Sequence, residues 1–294
     1  MHVFEKCMEL LPKAGKLLDI GTGNGSVLKS ASKLLPNWQL HAFDVVESYK
    51  EEILKIPNVV SFVCGTLDDL ALVKYDLIVL WHALEHISNP TEVLMKLKNR
   101  LSGNGYLLVQ VPDIQRNPFD FAVIDHYSHF TMKRLTEFLY SLGFTIVANG
   151  YEWTHNCLTL VLKKMCVNST DITTDFHHSN SNDPRDYYCW LNKTLEYFQS
   201  FIGTSEYAIF GTGMASLWVY SQLSKKTLFF IDEDNSKSGN CIDDISIVTP
   251  GDMSLISLDV LIPFIQPIGL RISSRLQNEY HNMKSYNFIL PPNL

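Results

Sequence analysis

The fold of this chain is decided by one short stretch, Leu17-Leu18-Asp19-Ile20-Gly21-Thr22-Gly23-Asn24-Gly25-Ser26. Four residues of strand character run into three glycines at alternate positions, and a helical pattern follows over residues 27–35. Glycine adopts backbone angles closed to other residues and lets a ligand approach the main chain. Because the strand turns tightly into the helix, the free N–H groups of the first helical turn lie at the carboxyl edge of the sheet. The stretch therefore predicts a site for a nucleotide-like ligand at that edge.

An acid at the end of the next strand supports this interpretation. Residues 39–43 have a strand pattern, and Asp44 follows them directly. Nucleotide-binding folds place an acid about 20 residues beyond the glycine turn, where its carboxylate accepts both ribose hydroxyls. The alternative is a solvated turn acid. The glycine turn that precedes Asp44 favours the ribose role.

Strand and helix patterns alternate through the rest of the first half of the chain. Further strands are predicted at residues 59–63, 75–81 and 106–111, with closing strands at 144–147 and 158–163. One helix is predicted after each of the first two strands. Two more helices are predicted over residues 89–101 and 131–142. Such alternation predicts an α/β fold, with a Rossmann-like parallel sheet and helices on both of its faces.

Polar residues crowd the middle of the chain and mark a boundary. Residues 165–183 are rich in Ser, Thr, Asn, Asp and His and lose apolar periodicity, which indicates a linker or surface loop. An aromatic helix then leads to a second strand–glycine–helix unit around Gly211. We therefore predict a ligand-binding domain over residues 1–164, a linker over 165–183, and a helix plus a smaller Rossmann-like α/β domain over 184–294.

Composition narrows the class of protein. The net charge of −7 argues against a nucleic-acid partner, which needs a basic face. Six cysteines, none in a Cys-x-x-Cys pair, indicate neither a zinc knuckle nor a disulfide framework. No apolar run reaches the roughly 18 residues of a membrane span, and the first residues lack the apolar segment of a signal peptide. We expect a reduced, soluble, cytoplasmic protein with no membrane partner.

The form Asp19-x-Gly21-x-Gly23-x-Gly25 resembles the signature of class I S-adenosylmethionine (SAM) methyltransferases. The resemblance implies a class I Rossmann-like fold, SAM as the cofactor and S-adenosylhomocysteine (SAH) as the product. In that family the acid and the glycines hold the amino-acid end of the cofactor. The loop after the third strand packs against the adenine, which implies cofactor contacts from Thr66 and Leu67.

Two interpretations compete for the five residues His82-Ala83-Leu84-Glu85-His86. Alone, His-x-x-Glu-His is the inverted zinc-peptidase motif. Here it follows a strand directly, outside any long helix and without an evident third ligand, so we predict no metal site. The stretch from residue 75 to residue 87 looks more like the region after strand four of SAM methyltransferases. That resemblance implies Trp81 and His82 beside the cofactor and His86 towards the substrate.

A second polar loop, Asp125-His126-Tyr127-Ser128-His129-Phe130-Thr131, follows the fifth strand. Its plain interpretation is a cap for the helix that begins near Thr131. It also resembles the Tyr-His-Glu-His-Leu-Ser-Tyr-Phe-Ser loop of deoxysugar C-methyltransferases, whose histidine acts as a base. The resemblance implies that His126 is the catalytic base, that Asp125 replaces the family's glutamate, and that His86 is a second active-site histidine. The chain has Val123 where that family has tyrosine, and we find no cysteine-rich zinc region before its core.

The second glycine turn leaves two interpretations open. Gly211-x-Gly213-x-x-Ser216, with Asp232 in the ribose position, is typical of an NAD site except that serine replaces the third glycine. The segment 231–239 also resembles the Asp-x-Asn-x-x-Lys-x-Gly segment of the same sugar C-methyltransferases, whose C-terminal domain helps to form the acceptor pocket. We favour a substrate-side or structural role over a dinucleotide site.

Together these features predict a SAM-dependent methyltransferase that acts on a sugar or nucleotide-sugar in surface polysaccharide biosynthesis. A histidine would remove a proton from the acceptor. Three alternatives stay open: a small-molecule O-methyltransferase, an NAD-dependent oxidoreductase working through the C-terminal GTGMAS turn, and a non-catalytic SAM-binding module. The acceptor atom and the oligomeric state are left open by the sequence.

Overall fold

The structure of the chain is a computed structural model, in which the residues divide between two units. It describes residues 2–150, 153–154, 156–165, 183–203, 205–223, 226–253 and 257–294. Unit 1 comprises Met1–Asp113 and Asp125–Ser181, and unit 2 comprises Ile114–Ile124 and Asn182–Leu294. Apart from its two end residues, the predicted linker over 165–183 lies outside the described residues.

Unit 1 contains a seven-stranded sheet in the order β3-β2-β1-β4-β5-β7-β6. Its strands are β1 Gly15–Ile20, β2 Trp38–Asp44, β3 Val59–Cys64, β4 Tyr75–Trp81, β5 Leu101–Pro112, β6 Phe144–Asn149 and β7 Cys157–Lys164. Its helices are α1 His2–Cys7, α2 Ser26–Leu34, α3 Lys50–Leu54, α4 Pro90–Arg100 and α5 Met132–Ser141. The strands from β3 to β5 are parallel, and β7 is antiparallel to both of its neighbours. The predicted Rossmann-like α/β fold is confirmed, with a sheet that is parallel except at β7.

The central strands are mainly apolar because both faces of the sheet are covered. Leu17 pairs with Leu77 and Leu18 with Ile78 across β1 and β4. Successive side chains of a strand point to opposite faces. Accordingly, Leu18 and Ile78 pack in one buried cluster, while Leu17 and Leu77 pack in the other. This two-sided core fixes the ends of β1 and β4 side by side.

Strand β5 begins five residues earlier than the sequence predicts, at Leu101 instead of residue 106. The register with β4 shifts here, because Tyr75 is paired with Leu101 but Leu77 with Tyr106. A Cβ atom on Gly105 would lie only 2.7 Å from the carbonyl oxygen of Tyr75. The two glycines after α4, Gly103 and Gly105, therefore lie within the irregular start of β5.

Unit 2 contains a second, six-stranded sheet in the order β10-β11-β9-β8-β12-β13. Its elements are α6 Pro184–Ile202, β8 Tyr207–Phe210, α7 Met214–Leu223, β9 Thr227–Ile231, β10 Cys241–Ile242, β11 Ile245–Val248, β12 Asp259–Leu261, α8 Gln266–Glu279 and β13 Asn287–Ile289. Only β10 runs antiparallel to its neighbour. The ring of Phe119, from the short turn Pro118–Ala122, packs 5.2 Å from the ring of Trp190. Across the described ranges, no helix combines the length and apolarity that crossing a membrane requires.

Candidate active site

The glycine turn lies at the carboxyl edge of the unit 1 sheet, between the ends of β1 and β4. Gly21 has a φ of 69°, and a Cβ atom there would lie 2.9 Å from the Cβ of Ala83. Only glycine combines this left-handed conformation with so close an approach to the loop after β4. The N–H groups of Gly21 and Thr22 donate to the carbonyl oxygen of Phe43 at 2.9 and 3.2 Å. The turn is thereby fixed against the end of β2, at the switch point where open α/β sheets bind ligands.

Asp44 is a buried carboxylate that the surrounding backbone holds in place. Its Oδ2 accepts the N–H of Gly23 at 2.8 Å, and its Oδ1 accepts those of Val45 and Val46 at 2.7 and 3.2 Å. The residue is 8% exposed, so it is not the solvated turn acid of the alternative interpretation. These bonds fix the carboxylate beside the glycine turn.

Asp19 is a buried acid just before the turn, and one of its two carboxylate oxygens accepts no hydrogen bond from the described residues. Its Oδ2 accepts the Thr22 hydroxyl at 2.7 Å. Its Oδ1 is buried and has no hydrogen-bond partner among the described residues. Burial raises the pKa of Asp19 to about 7; the Thr22 hydrogen bond lowers the pKa, and the charge of Asp44 adds to the rise. A buried, unsatisfied carboxylate oxygen is rare in folded proteins, and a ligand cation would satisfy it.

A cavity of about 470 Å³ opens beside the turn. It brings together six of the predicted site residues: Gly21, Asp44, Thr66, Leu67, His82 and His86. The rest of the lining is mainly apolar and was not anticipated from the sequence: Ile20, Phe43, Val45, Gly65, Ala83, Ile87, Ser88 and Val93. An apolar cavity with a few convergent polar groups is typical of a small-molecule site. Most of these extra residues lie at the ends of β1, β2 and β3 or in the loop after β4, which is the signal that could have found them, whereas Val93 lies in α4.

The remaining predicted cofactor residues lie outside this described lining. Gly23 acts through its N–H bond to Asp44, and Gly25 is the residue before α2, with a φ of 75°. Trp81 packs away from the cavity, with its ring stacked on Phe4 at 6.3 Å between centroids. The role of Trp81 beside the cofactor stays a prediction.

The loop after β3 positions Thr66 and Leu67. The N–H and the hydroxyl of Thr66 both donate to Asp69 Oδ2 at 2.8 Å, which forms a capping box for the short turn Leu67–Asp69. The neighbouring Asp68 pairs with Lys96 at 2.9 Å. Asp68 and Asp69 thus both have structural partners. Within this turn and its cap, the residues that line the cavity are Thr66 and Leu67.

His82 lies in the cavity wall in a left-handed conformation, with a φ of 51°. Its Nδ1 is 3.1 Å from Oε1 of the buried Glu85, and its Nε2 is 3.6 Å from the sulfur of Cys157. Burial lowers the pKa of His82, but the hydrogen bonds with Cys157 and Glu85 outweigh burial and raise it to about 10. The contact with Cys157 joins residues 75 positions apart, and no sequence pattern indicated it.

The three predicted catalytic residues lie side by side, with His86 in the loop after β4 and Asp125 and His126 in the loop before α5. Nδ1 of His86 lies 3.1 Å from the carbonyl oxygen of Asp125 and 3.2 Å from its Oδ2. Because a carbonyl oxygen only accepts, Nδ1 carries the proton and Nε2 keeps its lone pair. The ring of His126 packs edge-on against that of His86, with 4.7 Å between centroids. The carbonyl oxygen of Glu85 accepts the N–H of Tyr127 at 2.8 Å, which ties the two loops together.

The His-x-x-Glu-His residues do not form a peptidase-like pair of ligands one helical turn apart. Leu84–His86 is a single 3-10 turn, and the two histidines have separate partners. Ligand atoms of Glu85, His86 and His126 do lie within 4.8 Å of one another. The absence of a metal from this site therefore stays a prediction.

In unit 2 the acid after the second glycine turn is already paired. Asp232 Oδ2 accepts the N–H of Thr212 at 3.1 Å, its hydroxyl at 2.5 Å and Lys237 Nζ at 3.0 Å. Burial raises the pKa of Asp232, but the hydrogen bonds from Thr212, Asp234 and Lys237 prevail and lower it. Lys237 thus already neutralises the carboxylate that a ribose diol would contact.

Comparison with known proteins gives a family match and several similar solved structures. A family model described as a methyltransferase domain matches residues 1–149, just over half of the 294-residue chain. A SAM-dependent methyltransferase from Clostridium acetobutylicum has a TM-score of 0.44 at 13% identity over 56% of this chain and 90% of that one. A Haloferax volcanii complex of the Trm112 activator with a putative methyltransferase gives 0.48 at 14% identity over 57% and 90%.

A third solved structure is the Burkholderia thailandensis 1,6-didemethyltoxoflavin-N1-methyltransferase, which holds its substrate and SAH. It has a TM-score of 0.44 at 18% identity over 56% of this chain and 76% of that one. The search of curated proteins gives no match. The family match alone carries the assignment that follows.

A glycine turn, a buried acid after β2 and a cavity at the switch point define a class I enzyme that binds a nucleoside cofactor. The chain belongs to the methyltransferase domain family. It is a SAM-dependent methyltransferase, and SAM is its cofactor, as the acid–glycine signature implied.

Proposed function

We propose that this enzyme transfers the methyl group of SAM to a sugar or nucleotide-sugar, with the His86–His126 pair accepting a proton from the acceptor. The observation that carries the proposal is the position of His86. Its ring lines the cavity that also contains Gly21 and Asp44, and Asp125 holds its Nδ1. A base oriented in this way next to a cofactor cavity has the geometry of general-base catalysis.

The described residues fit the cofactor in three places. The unpartnered Asp19 Oδ1 would take the cationic amino group of the amino-acid end. The fixed carboxylate of Asp44 would accept the ribose hydroxyls, and Thr66 and Leu67 would border the adenine. SAM itself supplies a methyl group on positively charged sulfur. The protein's part is to align the acceptor with that methyl group and to exclude water from the cavity.

A histidine accepts the proton that the methyl acceptor loses. Nδ1 of His86 donates to Asp125, which leaves Nε2 of the neutral ring able to take part in the transfer as the second active-site histidine. An imidazole with an ordinary pKa of about 6.5 suits that task near neutral pH. His126, whose ring packs against that of His86, is the base that the sequence resemblance implies, and Asp125 positions His86.

The acceptor class follows from the resemblance of two segments to sugar C-methyltransferases. They are the loop from Asp125 to Thr131 and the segment 231–239 of unit 2. With a keto sugar, the histidine would remove a proton from the carbon next to the carbonyl, and the resulting enolate would take the methyl group. With a hydroxyl acceptor, the same histidine would deprotonate oxygen, which is the chemistry of a small-molecule O-methyltransferase.

Solvent deuterium exchange separates these two reactions. The full-length enzyme is incubated with SAH and a panel of nucleotide-linked keto sugars in D₂O, and mass spectrometry follows deuterium next to the carbonyl. The proposal predicts exchange that needs the enzyme and falls at least about 100-fold in His126→Ala. Methylation of phenols or hydroxyls without any such exchange would favour the O-methyltransferase. Binding of SAM without turnover of any acceptor would favour a binding module.

A further inference from the structure

A cysteine beside the cofactor cavity has partners that methyl transfer does not use. The sulfur of Cys157 lies 3.6 Å from Nε2 of His82, whose Nδ1 lies 3.1 Å from Oε1 of Glu85. Cys157, His82 and Glu85 are thus arranged as a nucleophile, a base and a group that orients the base. This is the arrangement that activates cysteine and serine nucleophiles in enzymes.

The buried carboxylate of Glu85 favours a charged pair between the His82 ring and the Cys157 thiol. Glu85 is 1% exposed, and its Oε2 has no hydrogen-bond partner among the described residues. Its negative charge therefore bears on the His82 ring and stabilises the protonated form of that ring. The proton can come from the Cys157 thiol, which is half-buried at the start of β7 and within reach of small solutes. Thiolate, not thiol, is the reactive form of cysteine.

We propose that Cys157 is a modification site that reacts with hydrogen peroxide or a related hydroperoxide. The Cys157 thiolate attacks one peroxide oxygen, so that an S–O bond forms and the O–O bond breaks. The protonated His82 ring gives its proton to the departing hydroxide, which leaves as water. Sulfur is oxidised to the sulfenic acid and the peroxide is reduced. Two equivalents of an added thiol return the sulfenic acid to the thiol, with a disulfide and water as products.

Oxidation would change the charge of the cofactor cavity, because His82 is part of its wall. The sulfenic acid is a neutral partner where the thiolate was an anionic one. The His82 ring, neutral after it has given up its proton, takes another from solvent because Glu85 still stabilises the charged form, and its positive charge then has no thiolate beside it. SAM has a cationic sulfur and SAH a neutral one, so oxidation should weaken SAM binding more than SAH binding. This consequence rests on the proposed position of SAM in the cavity, whereas the reactivity of Cys157 does not.

The thiolate is tested by alkylation of the full-length protein with iodoacetamide, with each cysteine followed by mass spectrometry. An ordinary thiol of pKa about 8.5 reacts roughly 50-fold faster at pH 8.5 than at pH 6.5, because its thiolate fraction rises by that factor. We expect less than a threefold rise for Cys157 and the ordinary rise for the exposed Cys189 and Cys241, which serve as internal controls. His82→Asn should restore the ordinary rise at Cys157, and asparagine tolerates the positive φ of this position.

The link to the cofactor is tested by titrating SAM and SAH into wild type and Cys157→Ser, before and after peroxide. We expect peroxide to lower SAM affinity at least threefold more than SAH affinity in wild type, and to change neither in Cys157→Ser. A rise in alkylation at Cys157 equal to that of the two controls would overturn the proposal. Oxidation of Cys157 with equal loss of SAM and SAH affinity would overturn the charge effect. A protein that binds no SAM before peroxide would contradict the proposed function, while the alkylation result would still decide the thiolate.

Discussion

Replacing Asp19 by asparagine should separate two effects of this buried acid, which are its effect on the free energy of unfolding and its contribution to the affinity for SAM. The change keeps the shape of the side chain and an oxygen acceptor for the Thr22 hydroxyl. It removes the charge. The pKa of Asp19 rises from 3.8 to about 7 in the folded protein, chiefly through burial. A group with a raised folded pKa stabilises the fold fully below its unfolded pKa, and that stability is lost as the pH rises through the folded pKa.

The magnitude follows from those two pKa values. Between pH 5 and pH 8 the unfolded chain releases the Asp19 proton more fully than the folded chain does. The free energy of unfolding of wild type should fall by roughly 2–3 kcal/mol from this group alone. Asp19→Asn lacks the titration. The variant should therefore gain about that much stability relative to wild type on going from pH 5 to pH 8.

Urea unfolding at the two pH values is the assay, read through hydrogen exchange of peptides from β1 and β4 so that unit 1 is followed by itself. All other titrating groups are shared by the two proteins and cancel in the comparison. A stability difference that is the same at pH 5 and pH 8 would refute the raised pKa. SAM titration gives the second readout, with affinity at least about tenfold weaker in Asp19→Asn because a charged hydrogen bond is lost. Unchanged SAM affinity would remove Asp19 from the cofactor site.

Three further predictions follow from the site. His126→Ala should keep SAM affinity within about twofold and lower turnover at least about 100-fold; retained turnover in an acceptor assay would reject His126 as base. Gly21→Ala should lower the stability of unit 1 by about 1–2 kcal/mol and weaken SAM binding, because alanine resists the positive φ and meets Ala83; an unchanged melting temperature with normal SAM titration would contradict this. Dialysis against a chelator should leave turnover unchanged, because we predict that the cluster of Glu85, His86 and His126 works without a cation; mass spectrometry checks the metal content. A loss of activity that zinc restores would contradict the predicted absence of a metal.

Site residues could be predicted from the sequence where a short local pattern sets both the backbone geometry and the chemistry. The glycine turn can be predicted because alternate glycines after an apolar strand have few other uses. Asp44 can be predicted because the length of one strand–helix–strand unit fixes its distance from that turn. The capping box at Thr66 is a local pattern too, since Asp69 follows three residues later.

Contacts between distant segments could not be predicted in the same way. Cys157 reaches His82 because β7 runs antiparallel to β5 and brings its first residue to the carboxyl edge, opposite Pro112. An alternating strand–helix pattern predicts parallel neighbours and gives no sign of this reversal. The early start of β5 depends on a register shift against Tyr75, which is likewise set by pairing. In unit 2, three short strands were not predicted, because strands of two to four residues carry too little periodicity. Helix α8 was not predicted either.

Calorimetric titration of SAM and of NAD into wild type and Asp44→Asn tests the central claim most directly. The wild-type chain should bind one SAM, and Asp44→Asn should bind it at least about tenfold more weakly, because the carboxylate beside the glycine turn can no longer accept two ribose hydroxyls. NAD should not bind either protein, since Lys237 already occupies the acid of the second glycine turn. SAM affinity that is equal in the two proteins, or NAD binding in place of SAM, would contradict the account.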